Sequence, residues 1–503
     1  MTRGLAGRRL RHLLSVRRLV VLHVLAVAGG MALGLVACTS AGQRAPDDAI
    51  SFDDPAWLQA PPPPREAPIV APGALHRSAL PNGLHVIVLE DHRLPYASIG
   101  IAVRRGAAIE STGERGVAAL TAEVMERGAG DRNALALASL LDALGADFSV
   151  SAGWDAMTVS LGGLSRDVDT LFGVLADVAL RPRFDADEVR KARDEAIANL
   201  ERAADEPETL VGWYRARAVY GEHRYGWPVG GTPQSVARLG ADALRAFHAR
   251  VFEPPNAIVF ASGDVDAARF AARVQQAFGD WPVAPVPPPV TPPPALAPPA
   301  RKVVIVDKPD LVQARIALSH EGIARSDERR ISASLMSDVL GGSGFSSRLM
   351  KSVRSEAGLT YSVWSGFGMR RAPGPFVVET FTRVPEVRRT IDLLLDEVDR
   401  MRREPPTGEE LAKARSYAVG RFGLSLETSA RVLSRLVELD VEGLPEDTLD
   451  RYRSRVRAVS ESDVAEVARE LLHPERAAIV VVGPAAELEA QLEGLGPIEI
   501  LTP

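Results

Sequence analysis

Short runs of β-branched and aliphatic residues recur along this chain, separated by longer stretches in which Ala, Leu, Arg and Glu repeat every three or four positions. The runs read as strands and the stretches as amphipathic helices. Val86-Ile87-Val88-Leu89, a break and then Leu94-Pro95-Tyr96-Ala97-Ser98-Ile99-Gly100-Ile101 is matched by Val303-Val304-Ile305-Val306, a break and then Leu311-Val312-Gln313-Ala314-Arg315-Ile316-Ala317-Leu318. Further on, Pro255–Gly263 is answered by Glu475–Gly483. Ile101 and Leu318 stand 217 positions apart, and Ile258 and Ile479 stand 221 apart. Spacing held through most of each half is the mark of a tandem duplication of one unit. Val117, Leu120, Thr121 and Val124 share one face of a helix predicted over 114–127. A capping box of Asp185 and Glu188 is expected to open a helix running to about 203, and amphipathic helices over 241–252 and 461–472 precede the last strand of each unit. Strands and helices lack the regular βαβ rhythm of a doubly wound sheet, which makes the class α+β.

Two proline-rich stretches punctuate this pattern. Residues 38–74, with Pro61 to Pro64 consecutive, read as a flexible tether, and residues 282–300, with Pro287 to Pro289 and Pro292 to Pro294, as a linker. They leave an N-terminal half over 75–281 and a C-terminal half over 301–503. A chain of 503 residues exceeds one core, and a 46% hydrophobic content excludes disorder throughout. The formal charge of −6 includes six arginines before residue 38; the other 53 basic residues face 65 acidic ones, which excludes a nucleic-acid footprint. A single cysteine, Cys38, rules out an intramolecular disulfide and a thiolate zinc cluster.

That cysteine has an address. Residues 1–18 are Arg-rich, and Leu19 to Ala37 is apolar except for His23, the pattern of an export signal. A spanning helix would be followed by a cluster of stop-transfer charges; here the run meets Leu35-Val36-Ala37-Cys38 and then polar residues. This resembles a bacterial lipobox, which implies removal of residues 1–37 and lipidation of Cys38. Stable anchoring takes more than one acyl chain. Thr39 and Ser40, rather than Asp, favour the periplasmic side of the outer membrane.

Several motifs point to one family. The first half contains Leu80-Pro81-Asn82-Gly83-Leu84, Gly116-Val117-Ala118, Tyr225-Gly226-Trp227-Pro228, and Pro255-Asn256 followed by Gly263-Asp264-Val265. The second contains Leu340-Gly341-Gly342-Ser343-Gly344-Phe345-Ser346-Ser347-Arg348-Leu349 and Gly358-Leu359-Thr360-Tyr361-Ser362. Across about residues 75–500 the chain resembles the M16 (insulinase, or mitochondrial-processing-peptidase-like) metallopeptidases. The resemblance implies two homologous α/β-sandwich halves of the LuxS/processing-peptidase-like type, forming a clamshell around an extended or unfolded peptide.

Family enzymes carry His-x-x-Glu-His on the helix after Gly116, two imidazoles for Zn²⁺ and a Glu that activates its water. In this sequence those positions are Ala119, Ala122 and Glu123, and the third ligand falls on Asn199, with Glu195 and Glu201 nearby. Alanine neither ligates a metal nor moves a proton, so the resemblance implies a degenerate zinc site and no metal in this chain. Beyond the signal, no two histidines lie within four residues; His85 and His92 come nearest at seven. A site built from Glu123, Glu126 and distant histidines competes with a salt-bridged helix surface, which accounts for the acids more simply. His223 reads as a loop hydrogen bonder. Arg354 and Tyr361 match the pair with which the family's C-terminal half grips substrate; the alternative is an arginine paired with Glu356 or Glu379 beside a core tyrosine. Arg348 reads as a packing or capping residue. Gly341–Gly344 lacks the Lys-Ser/Thr of a phosphate loop and reads as a tight turn with close backbone approach.

Loss of the zinc ligands with retention of the pair implies a chain inactive alone: the non-catalytic subunit of a two-chain peptidase, lending Arg354 and Tyr361 to a zinc-bearing M16 partner that acts on a peptide or unfolded protein. The competing function is a peptide-binding or scaffolding lipoprotein with no part in catalysis. Labelled palmitate is expected to enter the wild-type chain and not Cys38→Ala; labelling that survives the substitution overturns the lipid anchor.

Overall fold

The computed structural model describes residues 68–283 and 301–503; the export signal, Cys38, most of the tether and nearly all of the linker lie outside the described residues. The end of the stretch read as tether joins the folded body early. Ile69 and Val70 pack against the apolar cluster shared by the first sheet and the second half's helices, and the Ile69 N–H donates to Asp450 at 3.1 Å.

Each half builds one six-stranded sheet. In the first, β1 (Leu75–Ala79), β2 (His85–Glu90), β3 (Tyr96–Val103), β4 (Asp147–Ala152), β5 (Met157–Leu164) and β6 (Ala257–Gly263) lie in the order β1-β2-β6-β3-β5-β4. In the second, β7 (Lys302–Asp307), β8 (Gln313–Glu321), β9 (Val363–Phe367), β10 (Pro375–Arg383), β11 (Ala478–Gly483) and β12 (Ile498–Leu501) lie in the order β9-β10-β8-β11-β7-β12. Five strands correspond one to one. The first strand of each unit pairs parallel with its last, β2 with β6 and β7 with β11. The duplication breaks at one edge: β1 precedes its partner and pairs antiparallel, whereas β12 follows near the end and pairs parallel. The acid ending the first strand of each unit also keeps its task. Glu90 accepts the Ala267 N–H at 2.7 Å and Asp307 accepts the Ala485 N–H at 2.9 Å, satisfying the first turn of the helix after each last strand.

The central strands are apolar at consecutive positions because both sheet faces are buried. Val86 and Val88 face the helices of their own lobe, while Ile87 and Leu89 face the other way. What covers that second face comes from the other half. The Ser429–Glu442 helix lays Val432, Leu433, Leu436 and Val437 on Ile87, Leu89, Ile258 and Phe260 of the first sheet. Reciprocally, the Pro207–Tyr220 helix lays Leu210 and Val211 on Val304, Val306, Val480 and Val482 of the second. These two helices are equivalent members of the duplication, so the lobes exchange the same element.

Charges flank each exchanged helix. Arg215 reaches Glu379 at 3.1 Å and Arg315 reaches Glu208 at 3.3 Å. At the other crossing, Asp440 takes the Arg104 guanidinium and the His85 ring, the latter at 3.3 Å. Burial pushes the Asp440 carboxyl up, but hydrogen bonds from His85 and Arg104 outweigh it and hold the group at about 2.

The expected elements are present, with shorter bounds. The helix predicted over 114–127 is Val117–Met125 after a 3₁₀ turn at Thr112–Glu114, with Val117, Leu120, Thr121 and Val124 all buried. The later helices are Ala241–Val251 and Glu461–Leu471. The last strands start at Ala257 and Ala478 because 3₁₀ turns occupy Pro254–Asn256 and Pro474–Arg476. One expectation fails: Asp185 stands at the N-cap of Ala186–Ala203, but no capping box forms. Arg183 holds the Asp185 carboxylate at 2.7 Å and Lys191 holds Glu188 at 2.7 Å, so ion pairs outcompete the cap.

Asp440→Asn is expected to destabilise the fold by about 1–2 kcal/mol at neutral pH, a discounted value because the pair keeps some contact with water. The carboxyl is lowered in the folded state, so its contribution is complete above about pH 4 and is lost as pH falls through about 2. Melting curves of the two proteins should therefore converge on acidification; a gap that persists at pH 2 refutes this.

Candidate functional site

The first half's site helix is fixed at its start. Glu110, wholly enclosed, accepts the N–H groups of Gly116 at 3.0 Å and Ala118 at 2.8 Å, and Arg224 donates to the same carboxylate at 2.7 Å. Gly116 has φ +93°, and a Cβ there would lie 2.6 Å from the Gly230 carbonyl oxygen, so only glycine fits. With its buried face docked, the Val117–Met125 helix turns its other face toward the Ala186–Ala203 helix. Ala119 and Glu123 on the first and Glu195 and Asn199 on the second line a hollow of about 320 Å³. The fourth degenerate position, Ala122, is buried in the core beside it. The tertiary structure thus brings together the positions that the motif alignment singled out.

Their chemistry is not that of a metal centre. Arg127 donates through one guanidinium nitrogen to Glu123 and to Glu195, both at 2.6 Å. The Arg127 hydrogen bond and charge hold the Glu195 carboxyl below its ordinary range. Two alanines, an asparagine and a glutamate claimed by arginine do not fit zinc, which takes three or four His, Cys or carboxylate ligands. Glu126 is spoken for by the Val150 N–H at 2.6 Å, and burial pushes its carboxyl up. Among the described residues no group of three or more His, Cys, Asp and Glu is placed to hold a metal. Two of the described histidines have structural partners: His248 meets the Ala179 carbonyl at 3.0 Å, with burial pushing its ring down to about 4, and His223 accepts the Tyr225 N–H at 3.2 Å. The acids around Glu123 form a salt-bridged helix surface. Glu123 and Arg127 stand four apart, a helical pairing the sequence could have revealed; Glu195 could not be found that way.

In the second half the chain around the glycines is irregular. Asp338–Gly342 and Met350–Glu356 are π-helical, a rare geometry that recurs at functional sites. A Cβ on Gly341 would lie 2.6 Å from the Ser365 backbone nitrogen, the close approach expected, and Gly344 turns with φ +69°. Arg348 is buried, bidentate on Glu410 at 2.8 and 2.9 Å, and bonded to the Glu404 and Pro405 carbonyls. It is a structural residue.

Arg354 and Tyr361 meet. The guanidinium carbon sits 4.4 Å from the Tyr361 ring centroid and 4.4 Å from that of Phe345. Tyr361 is 72% exposed, not a core residue. Glu379 is taken by Arg215 and Glu356 lies 3.9 Å from Lys351, so neither carboxylate expected as an alternative partner holds Arg354. Phe345, exposed in the glycine turn, was not foreseen; contact across nine residues of irregular chain leaves no periodic signal. The result is a cation flanked by two exposed rings, with N–H donors directed by stacking rather than by an ion pair.

Comparison with known proteins fits this geometry. The family described as insulinase (peptidase family M16) matches residues 85–233, and the peptidase M16 inactive domain matches residues 238–417. An uncharacterized zinc protease of Streptomyces coelicolor is 27% identical over 423 residues, covering 83% of this chain and 91% of that protein. The crystal structure of a peptidase M16 inactive domain from Pseudomonas fluorescens is similar with a TM-score of 0.76 at 26% identity, over 82% of this chain and 98% of its own. A protease from Helicobacter pylori shares the fold with a TM-score of 0.75 at 18% identity, over 82% and 99%.

Arg127 would repel a cation placed in the hollow. Restoring Ala119→His, Ala122→Glu, Glu123→His and Asn199→Glu is expected to give weak zinc binding, improved about tenfold or more by adding Arg127→Met. Competition with a chromophoric chelator measures both; equal affinities would show that Arg127 does not govern the hollow.

Proposed function

The chain belongs to the M16 peptidase family, and from that premise we propose that it is the metal-free subunit of a two-chain peptidase. Zinc and its general base come with a partner M16 chain. This chain supplies Arg354 and Tyr361, which hold an extended peptide beside the partner's metal. The observation carrying the reading is the asymmetry between the halves. The zinc positions have become Ala119, Ala122, Glu123 and Asn199, with Arg127 bridging the acids. The Arg354–Tyr361 contact, by contrast, persists on an exposed surface where it contributes little to the core.

The chemistry suits such a division. Arg354 offers N–H donors to peptide carbonyls, and the Tyr361 hydroxyl can donate to the carbonyl undergoing attack or to the oxyanion it becomes. Neither task needs a metal in the same chain. A lipid on Cys38 would tether the complex to the bacterial envelope, on the periplasmic side of the outer membrane, where exported or unfolded polypeptides are the available substrates.

The test is a co-purified pair with zinc counted per chain and cleavage followed on a quenched peptide. Arg354→Ala is expected to raise KM, and Tyr361→Phe to lower kcat, with about a hundredfold loss in kcat/KM for the double variant. Unchanged cleavage by the double variant overturns the shared site. A chain that purifies without a partner and still binds peptide supports the scaffolding lipoprotein instead.

A further inference from the structure

A cavity of about 840 Å³ opens between the lobes, apart from the Arg354–Tyr361 surface. One wall belongs to the first lobe: Leu200, then Trp213 and Tyr214 of the exchanged Pro207–Tyr220 helix, and Trp227. The other wall is the open end of the second sheet, Val304 of β7 with Glu499 and Leu501 of β12. The lining is dominated by large apolar side chains. At its aromatic end Glu222 holds Arg217 and, behind the lining, Arg115, and both guanidinium groups stack on Trp227, at 4.2 and 3.7 Å. Glu201, Lys302 and Glu499 also line the cavity, so it is the aromatic end that suits neutral, bulky groups.

Two further features say what form the occupant takes. Among the described residues β12 is the edge of its sheet, bonded to β7 alone, so its other side presents N–H and C=O groups with no strand partner there. Glu499 and Leu501, two apart and therefore on one face, line the cavity, so a strand added beyond β12 would direct alternate side chains the same way. The Tyr214 hydroxyl donates to the Thr502 carbonyl at 3.1 Å, fixing the end of this edge to the helix that walls the cavity. The cavity also adjoins the degenerate hollow: Leu200 lines both, and Gly230 and Gly231 fall one in each.

We propose that this cavity binds an extended peptide segment as an added strand on β12, taking bulky aliphatic or aromatic side chains at alternate positions. The inference rests on the reading of the chain as a peptide-handling subunit and names the substrate class: unfolded segments with an apolar residue at every second position. Backbone pairing supplies affinity irrespective of sequence, and the Trp213–Tyr214–Trp227 lining supplies selection. A peptide so held would run on toward the hollow between the Val117–Met125 and Ala186–Ala203 helices.

The test is fluorescence anisotropy on the full lipoprotein in detergent, with a labelled peptide of about twelve residues alternating Leu or Phe with Ser or Thr. Two changed probes accompany it, one with the same residues in blocks and one N-methylated at alternate backbone positions. The alternating peptide is expected to bind at least about tenfold more tightly than either. Leu501→Asp, which puts a charge on the cavity face of β12, should weaken it about tenfold, whereas Ile500→Asp on the opposite, exposed face should change it less than about twofold. Equal binding of the N-methylated probe, which leaves the protein untouched, overturns strand addition even if Leu501→Asp fails to fold. Cleavage by the pair separates the two readings. Leu501-dependent binding with cleavage indifferent to Arg354 defeats the shared site alone, and the reverse result defeats this cavity alone.

Discussion

The architecture depends on burying two apolar faces per sheet. A strand such as Val303-Val304-Ile305-Val306 has no polar side to give to water, so a lobe that covers one face with its own helices leaves the other exposed. Exchange of the Pro207–Tyr220 and Ser429–Glu442 helices resolves this for both lobes at once. Neither half can complete its packing alone. The ion pairs around Asp440 and Glu379 then select a register for helices that hydrophobic burial by itself would hold loosely. The cavity beside β12 follows from the same arrangement, because the exchanged helix covers the middle of the second sheet and leaves its end open.

Against that scaffold, Arg127 joins the two helices that line the hollow, donating to Glu123 on one and Glu195 on the other. Glu110 and Arg224 independently fix the start of the site helix. In the second half Arg354 rests on aromatic faces and is free of the core.

The strands, the duplication and the buried face of the Val117–Met125 helix were legible because each is written within a few residues by side-chain period. That Ala119, Glu123 and Asn199 line one hollow, by contrast, took the tertiary structure, since they stand on two separate helices. The capping box expected at Asp185 does not form because Arg183, two residues earlier, competes for the same carboxylate. Arg127 was half legible: its pairing with Glu123 follows helical spacing, and its pairing with Glu195 does not.

The sequence by itself therefore determined that two copies of an α+β unit form and which faces of their strands and helices are apolar. Only the tertiary structure decided that equivalent helices cross between lobes, that Phe345 stacks on Arg354, and that the edge of β12 borders an aromatic cavity. The physical reason is range. Backbone preference and apolar period act over single turns and strand pairs, whereas the choice of a burial partner is settled by packing summed over groups that lie hundreds of residues apart in the chain.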